Sequence, residues 1–108
     1  MANILLDLNS PIFQKDLFSL SKEDAYSVLN TLKKIIKMDW DSLYKSKGLK
    51  WELIYSKKGN NGENIYSFRI NQKFRATALR DGNYLRVLSL HLDHDSTKPY
   101  VIQNQWKC

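Results

Sequence analysis

The chain is 108 residues long, 43% hydrophobic, 26% charged and 12% aromatic, with a formal net charge of +6. This length supports one domain over residues 1–108, because folding buries roughly 60–70% of such a chain's surface and leaves nothing for a second core. Cys108 is the single cysteine, which excludes an internal disulfide framework, and no apolar run reaches the ~18 residues that a membrane-spanning helix needs.

The first ten residues, MANILLDLNS, lack a basic region and carry Asp7, so they do not read as a signal peptide. A soluble protein of a reducing compartment, the cytoplasm, is the expectation. Ile4 to Leu8 is a short apolar run that reads as a strand. Ser10-Pro11 then reads as an N-cap followed by proline at the first helical position, where its missing N–H costs nothing. Phe13, Leu17 and Leu20 follow at helical spacing.

A second helix opens at Ser21, with Glu23 and Asp24 in the first turn, where the helix dipole favours acids. Ala25, Val28, Leu29, Leu32, Ile35 and Ile36 recur at three- and four-residue steps and leave Lys33, Lys34 and Lys37 on the wet side. The two helices should form an antiparallel hairpin.

From Leu49 the period becomes two. Leu49, Trp51, Leu53 and Tyr55 alternate with Lys50, Glu52 and Ser56, as in a half-buried strand. Ser56 to Asn64 reads as a polar Gly-Asn loop. Ile65 to Ile70 is a strand with Tyr66, Phe68 and Ile70 on one side and Ser67 and Arg69 on the other.

Phe74 to Arg80 and Tyr84 to Leu92 flank Asp81-Gly82-Asn83, a hairpin signal. An Asp81-Gly82 type I′ turn would set Arg80 opposite Asn83, Ala78 opposite Leu85, Ala76 opposite Val87 and Phe74 opposite Ser89. On the other face Leu79 would meet Tyr84, Thr77 would meet Arg86 and Arg75 would meet Leu88, with Arg75 and Arg86 as diagonal neighbours. The expected fold is therefore α+β: an N-terminal strand and a helical hairpin packed on a three- to four-stranded antiparallel sheet. The arginines would sit on or beside the other face of that sheet.

Charge is unevenly distributed along this plan. Residues 1–44 hold five lysines against six acids, whereas residues 45–91 hold ten basic residues against three acids. All four arginines (Arg69, Arg75, Arg80 and Arg86) lie within 18 residues. Such a segment is either a solvated basic face or a surface for a polyanion, nucleic acid or an acidic protein segment. Guanidinium forks suit phosphate.

Metal-independent RNA cleavage needs a base for the 2′-OH, cations for the charged phosphorane and an acid for the leaving 5′-oxygen. Arg69, Arg75 and Arg86 are candidate cations. His91 and His94 are the only histidines and suit proton transfer near neutral pH, although histidines near a strand end also serve packing. Glu52 is a candidate base, or simply an ion-pair partner of Lys50 or a cross-strand arginine. Tyr100 could stack on a base or donate a proton. Arg80, next to the turn, is most simply solvated, and Trp51, Phe68 and Phe74 read as core. His91, Asp93, His94 and Asp95 cannot all converge on one metal from an extended segment. No metal or other cofactor is expected.

These pieces, in this order, resemble the RelE/ParE toxin superfamily of type II toxin–antitoxin modules. The resemblance rests on the hairpin containing Phe13-Gln14-Lys15-Asp16-Leu17 and on the Gly48-Leu49-Lys50-Trp51-Glu52-Leu53 strand. It also rests on the Tyr66–Ile70 and Phe74-Arg75-Ala76 strands and on Leu90-His91-Leu92-Asp93-His94-Asp95. It implies a cytoplasmic endoribonuclease that cuts mRNA, often on the ribosome, leaves 2′,3′-cyclic phosphate ends and inhibits translation. A cognate antitoxin would neutralise it; DNA would be met only through that antitoxin, and no membrane is involved. By the same resemblance Arg75 contacts the scissile phosphate, Arg69 is the basic residue of the preceding strand and His94-Asp95 is the His-Asp pair. Taken with the residue reading, Arg75 and Arg69 hold the phosphate and His94 is acid or base with Asp95 or Glu52 assisting. Arg86, His91, Lys50, Lys73 and Tyr100 are the candidate RNA-binding residues. The alternative within the superfamily is a non-catalytic, gyrase-inhibiting ParE-like toxin.

Overall fold

A computed structural model describes residues 3–92 of the chain. His94, Asp95 and Tyr100 lie outside the described residues. The class is α+β, as expected, but the sheet has five strands and is mixed, with the order β1-β5-β4-β3-β2. Strand β1 (Leu5–Asp7) is an edge strand parallel to β5 (Tyr84–Leu92), so the expected purely antiparallel sheet is corrected. On the other side of β5 the sheet continues with β4 (Phe74–Asp81), β3 (Asn64–Arg69) and β2 (Glu52–Lys58), the far edge strand, each antiparallel to its neighbours.

Both expected helix starts are observed. In α1 (Pro11–Phe18) the Ser10 Oγ accepts from the Phe13 N–H, and Pro11 occupies the first turn. The same Ser10 hydroxyl donates to the Leu88 carbonyl at 2.9 Å, and Asp16 accepts from the Leu90 N–H at 2.9 Å. Helix α1 thus occupies the edge of β5 beyond the end of β1, where exposed backbone groups would otherwise invite pairing with another chain. In α2 (Lys22–Ile35) Ser21 accepts from the Asp24 N–H. Val28, Leu32 and Ile35 are buried, whereas Leu29 and Ile36, expected in the same stripe, stay exposed. The buried arc is narrower than the apolar one.

A third helix, α3 (Trp40–Lys45), was not expected. Asp39 caps it by accepting from the Ser42 N–H at 2.9 Å, and Trp40 and Leu43 are its buried residues. All three helices contribute to one core against Phe68, Phe74, Ala76, Ala78, Leu85, Val87 and Leu90. Trp51 packs against this cluster, stacked on Tyr66 with centroids 4.8 Å apart.

Strand β2 starts at Glu52, later than the Leu49 alternation suggested, because Lys50 takes a positive φ of 49°. It continues to Lys58, so most of the expected 56–64 loop is strand and hairpin turn. Its register on β3 breaks between Ile54 and Lys58, which bends this hairpin.

The β4–β5 hairpin is also corrected. Asp81 pairs with Tyr84, leaving Gly82-Asn83 as the two-residue loop. Gly82 has φ 62° while Asn83 is not in the positive region, the pattern of a type II′ turn rather than type I′. Arg80 therefore pairs with Leu85, Leu79 with Arg86 and Ala78 with Val87. This two-residue slip preserves the faces. A bulge then leaves Leu88 unpaired, and beyond it Thr77 meets Ser89, Ala76 meets Leu90, Arg75 meets His91 and Phe74 meets Leu92. Arg75 and Arg86 are consequently not diagonal neighbours.

Candidate active site

The helices cover one face of the sheet and leave the other with three rows of side chains. Directly paired strand residues share a face, so the rows follow from the register. The first runs Arg69–Arg75–His91 across β3, β4 and β5. The second runs Glu52–Ser67–Thr77–Ser89. A third joins Leu79, Arg86 and Asp7.

Arg75 is anchored on this face by several contacts. Its Nη2 donates to the Ser67 Oγ at 2.7 Å and to the Lys50 carbonyl at 3.3 Å, and stands 3.5 Å from the Glu52 carboxylate. Among the described residues, the hydrogen bonds of the Arg75 side chain pass through Nη2, and Nε and Nη1 make none there. The side chain is 20% exposed. A guanidinium held at one end and open at the other is pre-organised for a bidentate oxyanion partner. Lys50 contributes its carbonyl to this arrangement while its side chain is on an exposed residue. Arg69 stands beside Arg75, and its own N–H donates to the Leu49 carbonyl at 2.7 Å.

His91 is only 8% exposed. Its Nε2 lies 2.8 Å from the Ser89 Oγ, which is in turn 2.5 Å from the Thr77 Oγ1. Burial, reinforced by the positive charge of Lys57, pushes the imidazole down to about 4. His91 is therefore neutral at physiological pH and adds no charge to the row.

The other candidate cations are placed elsewhere. Arg86 sits at the β1 end of the face, with its Nε 2.9 Å from Asp7. The Asp7 carboxyl lies below its ordinary value, chiefly through a backbone hydrogen bond from Asn9 and then through Arg86. Lys73 pairs with Asp24 of α2 at 3.0 Å, on the helix side, which takes it away from the Arg75 row. Arg80 is not simply solvated. Its guanidinium carbon stands 4.3 Å from the Trp40 ring centroid, its Nη1 donates to the Tyr44 hydroxyl and its Nε to the Gly82 carbonyl.

Thus Glu52, Arg69, Arg75 and His91 come together, while Arg86 and Lys73 do not join them. Ser67, Thr77 and Ser89 complete the face but were not singled out from the sequence. Ser67 was legible, since it alternates in phase with Arg69. Ser89 reaches this face only through the bulge at Leu88. Among the described residues, no cluster of three or more His, Cys, Asp or Glu side chains is gathered as a metal site, and no helix is long and apolar enough to cross a membrane. Comparison with protein-family models, with curated proteins and with solved structures returns no match.

Proposed function

We propose that the chain is a metal-independent endoribonuclease with a RelE-like fold, the toxin half of a type II toxin–antitoxin pair, cutting mRNA in the cytoplasm and stopping translation. The observation that carries this reading is Arg75, tethered through Nη2 on the open sheet face between Arg69 and His91. Its Nε and Nη1 would hold the scissile phosphate, with Arg69 adding charge where the phosphorane develops. Glu52, beside Arg75, would take the 2′-OH proton. The 2′-oxygen then bonds to phosphorus, the bond to the 5′-oxygen breaks, and His94, assisted by Asp95, would return a proton to that oxygen. The products are a 2′,3′-cyclic phosphate and a 5′-hydroxyl.

Brief induction in cells followed by mapping of RNA ends tests this directly, with purified protein and ribosomes in chelator as the biochemical arm. Cleavage should persist in chelator and vanish when the scissile residue is 2′-deoxy; efficient cutting of the deoxy substrate sinks the mechanism. The ties of Arg75 to Ser67 and Glu52 favour a second reading, a gyrase-inhibiting ParE-like toxin in which this arginine only braces the sheet. Growth arrest with intact mRNA and DNA damage signalling would support that reading instead. In either case the expected partner is an antitoxin that covers the basic face.

A further inference from the structure

Beside the Arg75 row, on the same face, lies a cleft of about 610 Å³ that the reading above does not use. Its volume lies within the ~300–1,000 Å³ of small-ligand sites. The β2–β3 turn forms one wall, because the irregular register between Ile54 and Lys58 bends that hairpin. Bulges commonly re-aim side chains in this way. The bent turn brings the charge of Lys57 to bear on His91 and that of Glu63 on Arg86. The N-terminal part of α1, with Ser10 and Ile12, forms the opposite wall.

Three kinds of surface meet inside. Ile65, Leu79 and Leu88 supply apolar contact from three strands. The hydrogen-bonded chain Thr77–Ser89–His91 supplies hydroxyls and a ring nitrogen. Lys57, Lys58 and Arg86 supply cations, and Asn60 and Asn61 supply backbone and side-chain amides. The two carboxylates of the cleft are already engaged, Asp16 by the Leu90 N–H and Glu63 by the Asn61 N–H.

We infer that this cleft is a nucleotide subsite, taking the base of the residue that flanks the phosphate at Arg75. The inference rests on the RNA reading of the neighbouring row. A base presents an apolar face and an edge of mixed donors and acceptors. Apolar side chains suit the face, and hydroxyls and amides, which both donate and accept, suit the edge. Lys57 and Lys58 meet the attached phosphate, while Arg86 is paired with Asp7. His91 connects the two sites, because it lines the cleft and is the direct cross-strand partner of Arg75, with Cα atoms about 5 Å apart in such pairs. A strand of RNA whose phosphate sits at Arg75 therefore has the cleft within one residue's reach.

Titration of the full chain with the four nucleoside monophosphates, followed by amide NMR shifts, tests this without any need for cleavage. At least one should perturb Thr77, Leu79, Leu88 and Ser89 together and bind at least tenfold more tightly than ribose 5-phosphate. Ser89→Ala should weaken the nucleotide and leave ribose 5-phosphate unaffected. Ile12→Trp, at an exposed position on the mouth, should weaken both by obstruction. Equal affinity for nucleotide and ribose 5-phosphate, or shifts confined to other surfaces, overturns the subsite. Binding in the cleft by a protein that never cuts RNA retains the subsite and removes the cleavage reading. RNA cleavage unaffected by Ser89→Ala and Ile12→Trp does the reverse.

Discussion

The two faces of the sheet use the same strands for opposite ends, and Arg75 and Arg80 of β4 show how. Five positions apart, they fall on different faces because strand side chains alternate. Arg80 lies toward the helices, spread over Trp40 and bonded to Tyr44. Arg75 lies on the open face, tied at one end and available at the other. Around Arg80 the face is filled by Phe68, Ala76, Ala78, Leu85 and Val87. Around Arg75 it carries Glu52, Ser67, Arg69, Thr77 and His91. A residue type therefore does not announce its role here. The face does.

The comparison can be broken most sharply at the core. Phe68 is fully buried, so Phe68→Ala should lower unfolding free energy by about 3–5 kcal/mol, as truncations of buried aromatics do. Denaturant unfolding would measure it, and a loss below about 1 kcal/mol would mean that the helix face is not the stabilising one. On the open face, Arg75→Ala should slow RNA cleavage about 10²–10³-fold, the usual cost of removing one oxyanion donor, with little effect on unfolding. Lys34→Ala, an exposed change on α2 with the same charge loss, should leave the rate alone. Equal losses would indicate a diffuse field and no defined site.

The third test uses pH. His91 falls from an ordinary 6.5 to about 4 on folding, so between these values the unfolded chain binds the extra proton. Stability from keeping the ring neutral is complete above about pH 6.5 and is lost as pH falls toward 4, by about 3 kcal/mol. His91→Gln should lack this component, so the wild type should lose that much more than the variant between pH 7 and pH 4. Parallel curves would show that the imidazole is not buried as described.

Smaller effects separate the sheet edge from the faces. Ser10→Ala removes both the α1 cap and the bond to Leu88, and should cost about 1–2 kcal/mol, the upper range for caps. A loss matching that of Ser21→Ala, whose hydroxyl only caps α2, would show that the Leu88 bond contributes nothing. Smallest of all, Arg80→Ala should cost about 0.5–1 kcal/mol through its contact with Trp40, with cleavage unchanged. A cleavage loss as large as that of Arg75→Ala would erase the distinction between the faces.

Much of the local structure was legible because its causes are local. Ser10-Pro11 and Ser21 mark helix starts through bonds made within one turn, and Tyr66, Phe68 and Ile70 separate from Ser67 and Arg69 by strict alternation. Helix α3 has local signals too, the Asp39 cap and the Trp40–Leu43 spacing. So has the bulge, since the apolar phase of Leu85 and Val87 jumps to Leu90 and Leu92 across Leu88. That jump turns Ser89 and His91 to the open face and makes His91, not Leu88, the neighbour of Arg75.

What the sequence by itself determined was the α+β class, the helix caps, the strand segments and the concentration of arginines in residues 69–86, all of which depend on composition or on periods spanning a few residues. Only the tertiary structure decided the parallel seat of β1 on β5, and with it the Asp7–Arg86 pair. It also decided the withdrawal of Lys73 to Asp24 and the cleft beside Arg75. Each of these joins groups tens of residues apart, and no local period encodes which edge a strand takes or which face a bent hairpin covers.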